Sequence, residues 1–129
     1  MIVALQKDGW IITDNPLQLQ VGKRNLSIDL GAERSLIGAE KATRRIAVEI
    51  KTFGGASPVA DLQQAVGQFG MYETVLSVIE PERELYLAVS QEARLSIFSE
   101  ELGKLMLEQR IRRLLCFSVE DEEIVEWNP

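Results

Sequence analysis

Residues 46–51 read Ile46-Ala47-Val48-Glu49-Ile50-Lys51, and this stretch decides the fold class. Ile46, Val48 and Ile50 fall on one face of an extended chain, while Ala47, Glu49 and Lys51 fall on the other. A strand is predicted, with one apolar face and one presenting a carboxylate and an ammonium roughly 7 Å apart along the chain. Neither charged group is expected to face the core. Just downstream, Gly54-Gly55-Ala56 breaks the chain and Ser57-Pro58 opens a helix. Ser is suited to the N-cap, Pro to the first helical position and Asp61 to the positive helix end. Leu62, Val66, Phe69, Leu76 and Ile79 recur at helical spacing through about residue 80, and Pro81 ends the run. Leu85-Tyr86-Leu87-Ala88-Val89 reads as a buried strand. Ser90 caps a further helical region with Phe98, Leu102, Leu105 and Met106 on one face. Ile111–Val119 and Ile124–Trp127 flank the acidic turn at residues 120–123 as a closing β-hairpin.

Upstream, residues 1–7 read as the tail of a short helix and Asp8-Gly9 as a turn. Trp10–Thr13 is a short strand stopped by Asp14-Asn15-Pro16, and Leu17, Leu19 and Val21 alternate with glutamines as a half-buried strand. After a turn at Gly22–Asn25, Leu26, Ile28 and Leu30 share one face of a strand. Ser27 and Asp29 share the other, joined by Gly31 and Glu33 if the strand continues. A short apolar stretch (Leu36, Ile37, Ala39) and a polar turn from Lys41 to Arg45 lead back to the opening stretch. The order predicts an α/β domain spanning residues 1–129, with a single mixed β-sheet flanked by helices. Gly31 and Gly54-Gly55 lack the strand and helix order of a phosphate-cradling loop.

Composition narrows the chemistry. The chain has no histidine and one cysteine, which excludes Ser-His-Asp and Cys-His catalysis and the usual zinc sites. Cys116 lies in an apolar run and is expected to be a core residue in a reducing, cytoplasmic setting. No apolar run is long enough to span a membrane, and Met1–Trp10 has no signal-peptide pattern. Residues 1–60 carry net charge +2 and residues 61–129 carry −8, which gives the −6 of the whole chain. The first part can face a phosphate backbone while the second faces solvent or a basic partner.

If the strands carrying Asp29 and Glu49 neighbour each other, Asp29, Glu49 and Lys51 converge. Two carboxylates suit a hard cation such as Mg²⁺, or Mn²⁺ in its place, and a lysine beside them can hold a phosphate oxygen. Metal-assisted phosphodiester hydrolysis needs little more. The competing reading is a solvated strand face with an ordinary Glu-Lys pair. Gln64, Gln68 and Tyr72 lie four apart on the long helix and form a stripe that can bond phosphate oxygens or metal-bound water, or simply edge a packed helix. Glu33 and Glu40 are further carboxylate candidates.

The segments Lys7-Asp8-Gly9-Trp10, Ile28-Asp29-Leu30-Gly31-Ala32-Glu33, Ala47-Val48-Glu49-Ile50-Lys51 and Gly67-Gln68 occur in order, followed by Leu85–Val89 and Ile124–Pro129. Together they resemble the XisH family, the fdxN element excision controlling factor proteins, mostly cyanobacterial. The resemblance implies a restriction-endonuclease-like core of the PD-(D/E)xK superfamily. In that superfamily the Asp and the Glu-x-Lys hold metal and drive cleavage; here they fall on Asp29, Glu49 and Lys51. Gln68-x-x-x-Tyr72 is similar to a Gln-x-x-x-Tyr signature of some of these nucleases. The resemblance also implies a role in controlling site-specific excision of a DNA element in heterocyst development and an XisI-type protein as companion. It further implies a longer N-terminal helix supplying another carboxylate. Only seven residues precede Asp8-Gly9 here, none acidic, so Glu33 is the candidate substitute.

Three functions remain open on the sequence. The first is a metal-dependent DNA endonuclease using Asp29, Glu49, Lys51 and Gln68. The second is a non-catalytic regulatory module on the same scaffold, working through an XisI-type partner. The third is a structural homodimer that pairs strand edges of the final hairpin.

Overall fold

The computed structural model describes residues 1–35 and 43–128. The predicted apolar stretch at Leu36–Ala39, the start of the turn at Lys41 and the candidate Glu40 lie outside the described residues. Helix α1 (Ile2–Lys7) is followed by strands β1 (Ile11–Asp14), β2 (Leu17–Val21), β3 (Arg24–Ile28), β4 (Leu30–Ser35) and β5 (Thr43–Ile50). Helix α2 (Pro58–Ile79) leads to β6 (Arg83–Ser90). Then come α3 (Gln91–Leu95), a 3-10 turn (Ile97–Ser99), α4 (Glu101–Met106), a π turn (Leu107–Ile111), β7 (Leu114–Ser118) and β8 (Glu123–Asn128). None of the described helices is long and apolar enough to cross a membrane.

Six strands form one mixed sheet in the order β1-β4-β5-β6-β7-β8. β1, β4 and β5 pair antiparallel, β5, β6 and β7 pair parallel, and β7 and β8 close antiparallel. The parallel pairs follow from the helices, because parallel neighbours need a crossover connection. α2 starts where the sequence places it. Ser57 Oγ accepts from Ala60 N at 3.2 Å and Pro58 takes the first helical position.

Apolar layers cover both faces of the sheet. One gathers Ala47, Leu85, Leu87 and Leu114 against Leu62, Ala65, Phe69 and Leu76 of α2. The other gathers Ile46, Val48, Tyr86, Ala88 and Leu115 against Leu5 of α1, Trp10 and Trp127. β5 is therefore a central strand, and its sequence alternation does not divide core from solvent. Ala47 is buried as deeply as Ile46 and Val48.

Three expectations change here. β2 and β3 form a hairpin of their own beside the main sheet, so there are two sheets rather than one. Leu26, Ile28 and Leu30 do not share a strand face. The chain leaves the hairpin at Asp29; Leu26 and Ile28 pack in the α2 layer, whereas Leu30 packs in the α1 layer. Leu102 and Leu105 are exposed, and Leu107 and Ile111 are buried in their place. A single helical period does not hold there, because residues 91–111 are divided among α, 3-10 and π turns.

Candidate functional site

Asp29 stands at the crossing from β3 to β4, directly beside the end of β5. Leu30 pairs with Val48 in register, so the residue before Leu30 meets the residue after Val48. The meeting is reciprocal. Asp29 N donates to Glu49 Oε1 at 3.2 Å, and Ile50 N donates to Asp29 Oδ2 at 2.8 Å. Each carboxylate is thus fixed by the other strand's backbone. Lys51 is anchored through its own N–H to Ala88 O at 3.0 Å, and its Nζ lies 3.9 Å from Glu49 Oε2.

Glu49 is only 7% exposed, contrary to the expectation that it lies off the core. The physical reason is the apolar layer under α2, which covers the face Glu49 shares with Ala47. Burial pushes its carboxyl up to about 7; the charge of Asp29 and a side-chain hydrogen bond with it push the same way, while the Asp29 N–H and Lys51 oppose. Tyr72 is half-buried on α2, and its phenol is raised by burial and then by the charges of Glu49 and Asp29. It therefore lies within range of the charges of the same pair. Gln68, one turn earlier, keeps a buried Oε1 without a hydrogen-bond partner among the described residues, although buried amide oxygens are usually satisfied.

Glu33 and Gln64 are not brought in. Glu33 is paired in register with Arg45 and its Oε2 lies 3.6 Å from Arg45 Nε. Arg45 is four residues from Glu49, about 13 Å along the strand. Gln64 is exposed on α2. Among the described residues no group of three or more His, Cys, Asp or Glu side chains is placed to hold an ion. A cavity of about 540 Å³ opens on Asp29 and is walled by Asn15, Ile50 and the first three residues; the sequence singled out neither Asn15 nor that N-terminal wall. The stop signal at Asp14-Asn15-Pro16 marked only the end of a strand.

The donor set suits a hard divalent cation that keeps several waters. Two oxygen ligands could come from the chain, and a cation between them would offset the Asp29 charge that adds to burial in raising Glu49. Asp29 and Glu49 are the residues that would hold it.

The XisH protein family matches residues 1–125. An XisH family protein from Nostoc punctiforme PCC 73102 is 37% identical and superposes with a TM-score of 0.87, covering 99% of this chain and 94% of that one. An fdxN element excision controlling factor protein from Anabaena variabilis is likewise 37% identical, with a TM-score of 0.88 and the same coverage. No curated protein matches. With the family matched over nearly its whole length, the chain belongs to the XisH family.

Proposed function

We propose that this chain controls the excision of a DNA element, as the designation of the Anabaena relative says of that protein, and that it acts by metal-assisted phosphodiester hydrolysis on a restriction-endonuclease-like PD-(D/E)xK core. The observation that carries this reading is the buried Glu49 carboxylate bonded reciprocally across the strands with the exposed Asp29, with Lys51 at the same strand end. Burying the Glu49 carboxylate beside the Asp29 charge costs stability, and Glu49 sits near a neutral pKa, where protonation and cation binding compete. When bound, Mg²⁺ supplies charge on the phosphate and an acidified water. Lys51 holds a non-bridging phosphate oxygen. Gln68 offers its unpaired carbonyl oxygen to a water and its amide N–H to phosphate, and Tyr72 closes the site from α2.

Calorimetric titration with Mg²⁺ and with Mn²⁺ tests this reading. Saturable binding in the wild type, lost in Asp29→Asn and Glu49→Gln, is expected together with cation-dependent cutting of DNA that Lys51→Met abolishes. Cutting that survives all three substitutions would overturn it.

One observation favours a second reading. Only two carboxylates converge among the described residues, which suits a scaffold that keeps the residues without the turnover. The chain would then work as a regulatory module on an XisI-type partner. Wild type that binds neither cation but captures such a protein selects this alternative.

A further inference from the structure

The end of β5 separates two hollows. One opens on Asp29, as described. The other, about 340 Å³, begins at Lys51 and lies where the C-terminal ends of the parallel strands β5, β6 and β7 spread apart. In α/β sheets the crevice outside the carboxyl ends of parallel strands is the usual place for a ligand, and this volume is within the range of small-ligand sites.

The lining is specific. Phe53 enters from the α2 layer, its ring edge-on to Phe98 at 5.3 Å, and Phe117 enters from the α1 layer. Both are partly exposed. The Glu92 carboxylate and the Thr52 hydroxyl line the hollow, are exposed, and make no side-chain hydrogen bond or ion pair within the described chain. Among the described residues Lys51 Nζ has the 3.9 Å contact with Glu49 alone, which leaves donors to spare. A phosphate would meet the Glu92 charge, so the hollow does not suit an anion. A flat, uncharged ring with an amino group suits it well.

We infer that this hollow receives an unpaired nucleobase whose adjoining phosphate lies at Lys51. The inference rests on the proposed phosphate site. Aromatic rings accept any base face. Glu92 adds a preference, because a carboxylate accepts from the exocyclic amine of cytosine, whereas thymine presents a carbonyl oxygen at the same position. The base must be out of its stack to enter, so single strands and melted duplexes are the ligands and intact duplex is not.

The test uses fluorescently labelled short single strands of deoxycytidine and of thymidine, titrated by anisotropy in EDTA so that nothing is cut. Wild type is expected to bind the cytosine strand more tightly than the thymine strand and a duplex more weakly than either. Glu92→Gln should erase the cytosine preference, since an amide can pair with both bases. Phe117→Leu should weaken both strands by roughly fivefold or more. If Phe117→Leu proves unstable in a thermal melt, the exposed Glu92→Gln decides alone. Equal affinity for the two strands, a preference untouched by Glu92→Gln, or no binding at all overturns the inference. Binding that is lost in Lys51→Met but indifferent to Glu92 also overturns it, while leaving the phosphate reading intact. Cytosine preference that depends on Glu92, without cutting when Mg²⁺ is added, upholds the hollow and overturns the nuclease reading.

Discussion

Glu49 holds the chemistry and a stability cost in one side chain. Its carboxyl, ordinarily near 4.5, is raised to about 7, chiefly by burial and then by Asp29. Folding therefore favours the protonated form, and the stability this contributes is complete below the ordinary value and lost as pH rises through about 7. Glu49→Gln cannot lose that proton, yet its amide oxygen still accepts from Asp29 N. Urea denaturation should show wild type losing stability between about pH 5 and about pH 8 relative to Glu49→Gln, with saturating Mg²⁺ restoring much of the loss. Parallel pH profiles for the two proteins would remove this account of the pair. At this scale the sequence was informative about identity and silent about depth. The alternation in residues 46–51 gave Glu49 and Lys51 a shared side, but it could not tell a solvated face from one roofed by α2. That difference turns a surface Glu-Lys neighbour pair into a buried carboxylate that faces the exposed Asp29.

The two glycines in the middle of α2 and the one in α4 look alike in sequence and differ in what surrounds them. A methyl added at Gly67 or Gly70 meets nothing within 4 Å. Each glycine costs a helix roughly 0.5–1 kcal/mol relative to alanine, so Gly67→Ala and Gly70→Ala should each stabilise the protein by about that amount in chemical denaturation. Gly103 has no such room. A methyl there would collide with the carbonyl of Ile97, because α4 lies directly on the preceding 3-10 turn. Gly103→Ala should cost about 1–3 kcal/mol, as overpacking does. Equal effects at the three sites would mean that helix propensity alone governs them. Elements bounded by strong local signals, such as α2 with its Ser57 cap and Pro81 stop, were legible. The stretch from Gln91 to Ile111 was not, since close backbone packing at Gly103 sets its pieces and breaks the period on which Leu102 and Leu105 were assigned. The break at Asp29 was hidden for a related reason: alternation of Leu26, Ile28 and Leu30 continues through a point where the chain changes sheets.

Across the whole molecule, the two ends of the chain meet on a single carboxylate. Asp8 Oδ2 accepts the indole N–H of Trp10 at 3.3 Å and of Trp127 at 3.1 Å. The two rings lie 5.7 Å apart, and Trp127 stands edge-on to Tyr86 at 5.0 Å. Arg34 stacks over Trp10 and reaches Asp8 at 3.6 Å, while Lys7 Nζ donates to Asp121 O in the final hairpin turn. β1 and β8 are opposite edges of the sheet, five strand spacings or about 24 Å apart if it lay flat. In the folded chain side chains packed in the α1 layer join the two edges. Sequence marked Asp8-Gly9-Trp10 and Trp127 as separate segments, but nothing local in either one signals a partner more than a hundred residues away. Asp8→Ala leaves two indole donors without their acceptor and removes the ion pair of Arg34, whose guanidinium keeps the Asp8 backbone carbonyl at 3.0 Å, and should cost about 1–3 kcal/mol. Asp8→Asn, which keeps a carbonyl oxygen, should cost less than half of that. Tryptophan fluorescence during urea denaturation reads both. Cation binding should survive either change, because Asp29 and Glu49 are held by backbone N–H groups at the end of β5 rather than by this clamp. An unchanged denaturation midpoint in Asp8→Ala would show that the apolar layer holds the two edges without it. Loss of cation binding would mean instead that α1, whose first residues wall the Asp29 cavity, is part of the site.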